Sequence, residues 1–284
     1  MMGRPHLGDV TLVAVTSVAL AATQAALRHS LGQASFGKAL LLSDLQPGDL
    51  AGSGIEWRPI PRLASRADYS RFVMGGLAGH IETGHALLVQ WDGFVRDGRA
   101  WRDEFLDFDY IGAPWPHYRD GMAVGNGGFS LRSRRLLQAT ATIPASDAPE
   151  DDTICRKFRP VLERDHGIRF ADMDVARAFS YERRHSSGLE FGFHGVFNML
   201  AELSSTRLLA WLTDLEPGVI GERESTELLV KAVRTGNWPL ARLAMRHHHS
   251  HPNHGHRLLR GLGWLLCGHD GRPVVRAEAA HHVG

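Results

Sequence analysis

A four-residue apolar run, Ala86–Val89, stops at Gln90, Trp91, Asp92 and Gly93, and it constrains the fold more than any other stretch of the chain. It is too short for a helix and is bounded by Gly84 and the polar Gln90, so it predicts a buried strand. Asp92 stands just past that strand's carboxyl end, where open α/β sheets place their ligand crevice, and Gly93 lets the backbone turn there. Two roles fit Asp92 equally: a site carboxylate, or the start of a simple turn.

Two more buried runs precede it. Val10–Val15 predicts a first strand, followed by a helix over Ser17–Leu31 with Ser17 as N-cap and Gly32 as its stop. No GxGxxG pattern occupies that turn, which argues against a dinucleotide cofactor. Thr16 and Ser17 instead offer hydroxyls and a helix N-terminus, suited to a polar or anionic group. Ala39–Leu42 predicts a second strand ending in Ser43 and Asp44, Ile55–Ile60 a third, and residues 68–80 a helix. On that helix Arg71 can grip a diphosphate as a planar fork or simply stay solvated.

Beyond the central strand, residues 100–106 predict a short helix and Tyr110–Ala113 a strand. The aromatic loop Trp115–Tyr118 follows, and Trp115 can stack on a sugar face or pack beneath the loop. Asn126, Gly127 and Gly128 form a loop whose backbone can approach a sugar or phosphate closely, or only make a tight turn. Phe129–Arg132 predicts a strand, and Ser133 caps a helix over Arg134–Thr140. Glu150, Asp151 and Asp152 open an amphipathic helix, where carboxylates also favour the positive N-terminus; Pro160 should kink it and Gly167 end it. Ile168–Ala171 predicts another strand, and a glycine-rich aromatic loop covers 186–195. Helices over 206–215, 225–235 and 239–247 complete the pattern. The expected architecture is an α/β domain over 8–200, with a mixed, mainly parallel sheet flanked by helices. A helical extension over 201–267 and a flexible tail over 268–284 should follow.

Composition narrows the function classes. The net charge of +1, from 32 basic and 31 acidic residues, gives no electrostatic case for a nucleic-acid partner. Cys155 and Cys267 lack metal-ligand spacing and fit a reducing cytoplasm. Thr11, Thr16, Ser17, Thr23 and Gln24 interrupt the apolar stretch from Val10 to Ala26, so no transmembrane segment is expected. A soluble, cytoplasmic protein follows, with peripheral membrane association left open. His247–His249, His251, His254 and His256 can take up a metal adventitiously.

Five ordered motifs carry a family resemblance: VQWDGFV from Val89, DYIGAPW from Asp109, VGNGGFSLRSRRLL from Val124, PEDDTICR from Pro149 and FGFHG from Phe191. Together they resemble a glycosyltransferase-like family of domains of unknown function, of GT-A type, over about Val10–Asn198. The resemblance implies a nucleotide-sugar donor contacting the end of the first strand at Thr16, with Asp44 facing the base or ribose. It also implies an acceptor hydroxyl on an unspecified glycan, lipid or protein, and transfer with inversion. Asp92 and His194 would hold a divalent cation, Mn2+ or Mg2+, while Asp92 on its own can instead bind the ribose and His194 can be a loop histidine bonded to backbone. Gln90 stands where the first carboxylate of a DxD motif would lie. Glu150 or Asp151 would be the general base, and the alternative to an enzyme is a nucleotide-sugar or glycan-binding module that has lost catalysis.

Overall fold

The computed structural model describes residues 4–48, 50–144 and 146–250; the histidines after 250, Cys267 and the expected tail lie outside them. Residues through Glu202 form one compact unit and those from Leu203 a second. In the first unit the apolar runs become strands β1 (His6–Thr16), β2 (Ser35–Ser43), β3 (Glu56–Pro59), β4 (His85–Val89), β5 (Tyr110–Ile111) and β6 (Phe129–Ser133). Their order in the sheet is β3-β2-β1-β4-β6-β5. The first four pair in parallel, and β6 runs antiparallel to both of its neighbours. The sheet is therefore mixed and mainly parallel, with helices on both faces.

Burial on both faces is what made the runs continuously apolar. Leu12, Ala14, Leu41, Leu87 and Val89 point into one layer, closed by Leu27 of α1 (Leu20–Gln33) and by Phe105, Phe179 and Phe191. Val13, Val15, Leu40, Leu42, Ala86 and Leu88 point into the other. That layer is closed by Val73, Leu77 and Ile81, which follow α2 (Arg66–Arg71), and by Leu137 of α3 (Arg134–Thr140).

Several elements differ from expectation for identifiable reasons. Helix α1 begins at Leu20, not Ser17, because the Thr16 hydroxyl accepts from the amides of Val18 and Ala19 while the Ser17 hydroxyl accepts from Leu63 N. The helix expected over 68–80 is α2 followed by a π-helical turn, Phe72–Gly76, and a 3₁₀ turn, Leu77–His80; Gly75 and Gly76 weaken a regular ladder there. Residues 100–106 hold parts of two 3₁₀ turns instead of a helix. Pro160 does not kink a helix but sits at the start of one. α4 (Glu150–Asp152) passes into a π-helical turn, and α5 (Arg159–His166) begins anew with Pro160 in its first turn, where a missing amide costs nothing. Gly167 ends α5 at φ 61°. Ile168–Ala171 supplies only a single bridge, Phe170 to Tyr110. Asp172 then caps α6 (Met173–Phe179), and β7 (Ser180–Tyr181) pairs in parallel with β8 (Gly192–Phe193).

After α7 (Met199–Glu202), the second unit contains α8 (Ser205–Leu212), α9 (Glu222–Arg234) and α10 (Trp238–His249). His247 and His248 are buried, and His248 Nδ1 lies 3.2 Å from Thr226 Oγ1. Of the described run, His247 and His248 are therefore core while His249 is exposed. No helix among the described residues is long and apolar enough to cross a membrane.

One backbone contact aims the segment after β5 at the end of the sheet. A Cβ at Gly112 would lie 1.6 Å from the carbonyl oxygen of Gly125, and the bridge from Pro114 to Val124 keeps the two segments together. Gly112→Ala should cost about 3 kcal/mol, because backbone rather than a side-chain tip must move. Urea denaturation checks this: the midpoint falls with the slope unchanged, and an unaltered midpoint contradicts it.

Candidate active site

Register brings the strand ends together. Thr16 pairs with Ser43 and Ala14 with Val89, so Thr16, Asp44 and Asp92 follow adjacent parallel strands at one edge, the edge that open sheets use for ligands. Asp44 Oδ1 is buried there with no hydrogen-bond partner. The hydroxyls of Thr16 and Ser17 are occupied by backbone amides of their own neighbourhood.

At the end of β4, Gln90 and Gly93 exchange two backbone hydrogen bonds of 3.1 Å, closing a turn with Asp92 inside it. Asp92 is buried; its Oδ2 accepts from Val196 N at 3.2 Å, and its carbonyl accepts from Gly195 N. These bonds tie the β4 turn to the loop of His194. His194 Nε2 lies 3.5 Å from Asp92 Oδ1 and is buried without a hydrogen-bond partner. Its Nδ1 lies 3.4 Å from Glu182 Oε1 and 3.1 Å from Asn126 Nδ2. Burial alone would depress the imidazole's pKa, but the carboxylates of Asp92 and Glu182 outweigh it and raise the value to about 10.

The glycine loop fits around this ring. Asn126 adopts φ 69° and its Oδ1 accepts from Phe129 N, which turns Nδ2 toward His194. A Cβ on Gly128 would lie 2.1 Å from His194 Nε2, and one on Gly93 would meet the same ring at 2.9 Å. Gly127 N donates to Asp151 Oδ2 at 3.0 Å. Asp92, His194, Asn126 and Asp151 thus belong to one connected cluster, with Gly127 and Gly128 as its floor.

The two acidic candidates diverge. Glu150 turns inward, where its Oε1 accepts from the buried Arg132 Nη2 at 3.0 Å. Asp151 stays partly exposed. Burial, and then the charge of Glu150, push its pKa up to about 6 against the opposing bonds from the amides of Gly127 and Asp152. Cys155 lies one turn further on, wholly buried, and burial pushes its thiol up.

Two other candidates stand apart from the cluster. Arg71 is half-exposed and paired with Asp68 and Asp147. Trp115 packs beneath its own loop, its ring occupying the space a Cβ on Gly125 would need. A separate cavity of about 430 Å³ opens beside Pro5, before β1, and is lined by Arg4, Gln33, Arg96, Arg99 and Glu202. Its arginines are already bonded, to the carbonyl of Leu31, to Glu202 and to Asp97 respectively.

Sequence reasoning missed Glu182, Arg132 and the partner of Gln90. Glu182 follows β7, whose pairing of Tyr181 with Phe193 sets it beside His194; a two-residue strand leaves no period to read. Gln90 Nε2 donates to the hydroxyl of half-buried Tyr69 at 2.9 Å. A second carboxylate at 90 would add charge to the same buried region as Glu150 and Asp151, whose charges already push the Tyr69 pKa up alongside burial.

Residues 56–194 match a family model described as a protein of unknown function (DUF5672). That stretch contains the QWDG turn, the glycine loop, the acidic helix start and His194. No curated protein matches the chain in sequence. Among solved structures it is similar to the mannosyltransferase PcManGT from Pyrobaculum calidifontis, in complex with GDP-Man and Mn2+. Identity is 9%, over 89% of this chain and 73% of that one, with a TM-score of 0.44. The galactosyltransferase LgtC, in complex with donor and acceptor sugar analogs, is 12% identical over 72% of this chain and 96% of that one, at a TM-score of 0.40.

Among the described residues no group of three or more His, Cys, Asp or Glu is arranged to hold a metal ion. Asp92 and His194 supply two donors, the imidazole only once it gives up the Nε2 proton it holds toward Asp92, so a cation there would replace that proton and take its remaining ligands from elsewhere.

The raised pKa of Asp151 fixes the sign of a stability effect. A carboxylate harder to ionise in the folded than in the unfolded chain costs nothing below its unfolded value near 3.8, and its penalty grows to completion as pH rises past about 6. Asp151→Asn should therefore raise the thermal midpoint by several degrees at pH 7, on the order of 1–3 kcal/mol, and change it little at pH 4. An equal shift at both pH values contradicts it.

Proposed function

We propose that the chain is a glycosyltransferase that moves a sugar from a nucleotide-diphosphate sugar to an acceptor hydroxyl with inversion at the anomeric carbon. The observation that carries this reading is the cluster in which Asp92 faces His194 Nε2 at 3.5 Å while Asp151, held by the amide of the same glycine loop, has its pKa raised to about 6. The family resemblance of the motifs points the same way.

In this reading Asp44 takes the base or ribose, with Oδ1 as the free acceptor. Asp92 and His194 would hold a divalent cation. When bound, that cation neutralises charge developing on the leaving group. Asn126, Gly127 and Gly128 line the acceptor side, their backbone close against Asp151 and His194. Asp151 accepts the proton of the acceptor hydroxyl as its oxygen bonds to the anomeric carbon, and the bond from that carbon to the diphosphate breaks with the electron pair leaving on the phosphate oxygen. A carboxylate whose pKa lies close to neutrality is a better proton acceptor than an ordinary surface aspartate. Glu150, paired with Arg132, is the weaker candidate for that role.

A second reading, a nucleotide-sugar-binding module without turnover, is favoured by one observation: Gln90 is an amide engaged with Tyr69, leaving two protein donors for a cation. Two variants separate the readings. Calorimetry with a panel of nucleotide sugars, with and without Mn2+, should find a donor bound more tightly with the metal, and Asp92→Asn should weaken it. Asp151→Asn should spare donor affinity and lower transfer by roughly 10²- to 10⁴-fold. Absence of binding to every nucleotide sugar in both conditions ends the transferase reading, whereas binding without measurable transfer by the unaltered chain selects the module.

A further inference from the structure

Arg132 is the largest fully buried side chain of the chain's described residues, and its cost calls for an explanation. Its Nη2 donates to Glu150 Oε1 at 3.0 Å, its Nε donates to Ser130 Oγ at 3.0 Å, and the guanidinium packs 5.4 Å from the ring centre of Tyr110. Nη1 has no hydrogen-bond partner. A buried ion pair of this kind is often no more stabilising than apolar side chains of the same volume, so stability alone does not account for it.

Its surroundings suggest what it does. Glu150 Oε1 occupies the point 2.0 Å from where a Cβ on Gly127 would stand, while the amide of that same glycine donates to Asp151. One glycine is thus clamped by two consecutive carboxylates, one paired with an arginine and one not. We propose that Arg132 is a positioning residue: its bond to Glu150 holds that carboxylate beneath Gly127, next to the Asp151 carboxylate that the Gly127 amide holds, and the pair sets the pH at which Asp151 takes up a proton. The inference rests on the reading of Asp151 as the general base.

The groups facing Asp151 bear this out. From its own segment come Glu150, the amide of Asp152, and Cys155; from β6 comes Arg132, from β5 Tyr110 and from α2 Tyr69. Burial pushes Cys155, Tyr110 and Tyr69 upward, so all three stay neutral across the neutral range. Glu150 and Arg132 remain as the adjoining ion pair, and after burial, the largest cause, the effect of Glu150 on Asp151 exceeds that of Arg132.

Carboxyl 13C NMR of the full chain, labelled at aspartate, tests the inference without a known substrate. The Asp151 resonance is assigned by its disappearance in Asp151→Asn. In the unaltered chain it should titrate near pH 6. Glu150→Gln should move that midpoint down by about one pH unit or more, because a neighbouring like charge is gone. Arg132→Met leaves Glu150 buried and unpaired and is prone to misfold. The double variant Arg132→Met/Glu150→Gln removes both charges and should titrate between the unaltered chain and the single Glu150 variant. A resonance that titrates at the same pH in all three proteins, or near pH 4 in the unaltered chain, overturns the proposal. If the midpoints move as expected but Asp151→Asn keeps full transfer, the base assignment fails while the positioning of Asp151 by this pair stands.

Discussion

The candidate site depends on one steric condition: Gly125, Gly127 and Gly128 lie where a side chain cannot. Three neighbours use the space. The Trp115 ring fills the position of a Cβ on Gly125, Glu150 that of Gly127, and His194 that of Gly128. A loop without side chains brings its amides within reach of carboxylates and a ring that would otherwise be held a full side chain away. The amide of Gly127 reaches Asp151 only because of this, and Asn126 takes a left-handed backbone to aim its amide group at His194.

The sheet delivers the other half. Parallel strands β2, β1 and β4 end in register, so residues distant in sequence, Thr16, Asp44 and Asp92, come to one edge without any specific interaction between them. Antiparallel β6 then returns along β4, starting at Phe129 beside Val89. The glycine loop just before β6 is thereby held against the turn just after β4. Local charge chemistry is layered on that frame: burial raises the Asp151 pKa, while for His194 two flanking carboxylates prevail over burial.

How much of this was legible in the sequence follows from the range of the forces involved. The apolar runs were readable because a strand covered on both faces excludes polar residues; β1, β2, β4 and β6 each contain the expected run. The Ser133 cap and the Gly167 stop were readable because each is a local backbone requirement. The interruption after α2 was not, since Gly75 and Gly76 act through the whole ladder rather than through a motif. At the site, Asp92, Asn126, Asp151 and His194 could be named because they sit in motifs. Glu182 and Arg132 could not. Glu182 acquires its place from a two-residue strand pairing, and Arg132 lies in the middle of a strand that reads as core. Gln90 looked like a lost ligand, yet its amide is committed to Tyr69, a partner 21 residues away.

Cys155 has a consequence beyond packing. It lies four residues after Asp151, completely buried, and burial keeps its sulfur in the unreactive thiol form. An alkylating reagent can reach that sulfur only when the segment bearing the acidic pair lifts away from β5 and β6. Its rate of modification therefore reports the opening that exposes it, whether of that segment or of the whole domain. A bound acceptor or donor that clamps the glycine loop would slow it, so the native thiol can report occupancy of the site before any substrate has a name.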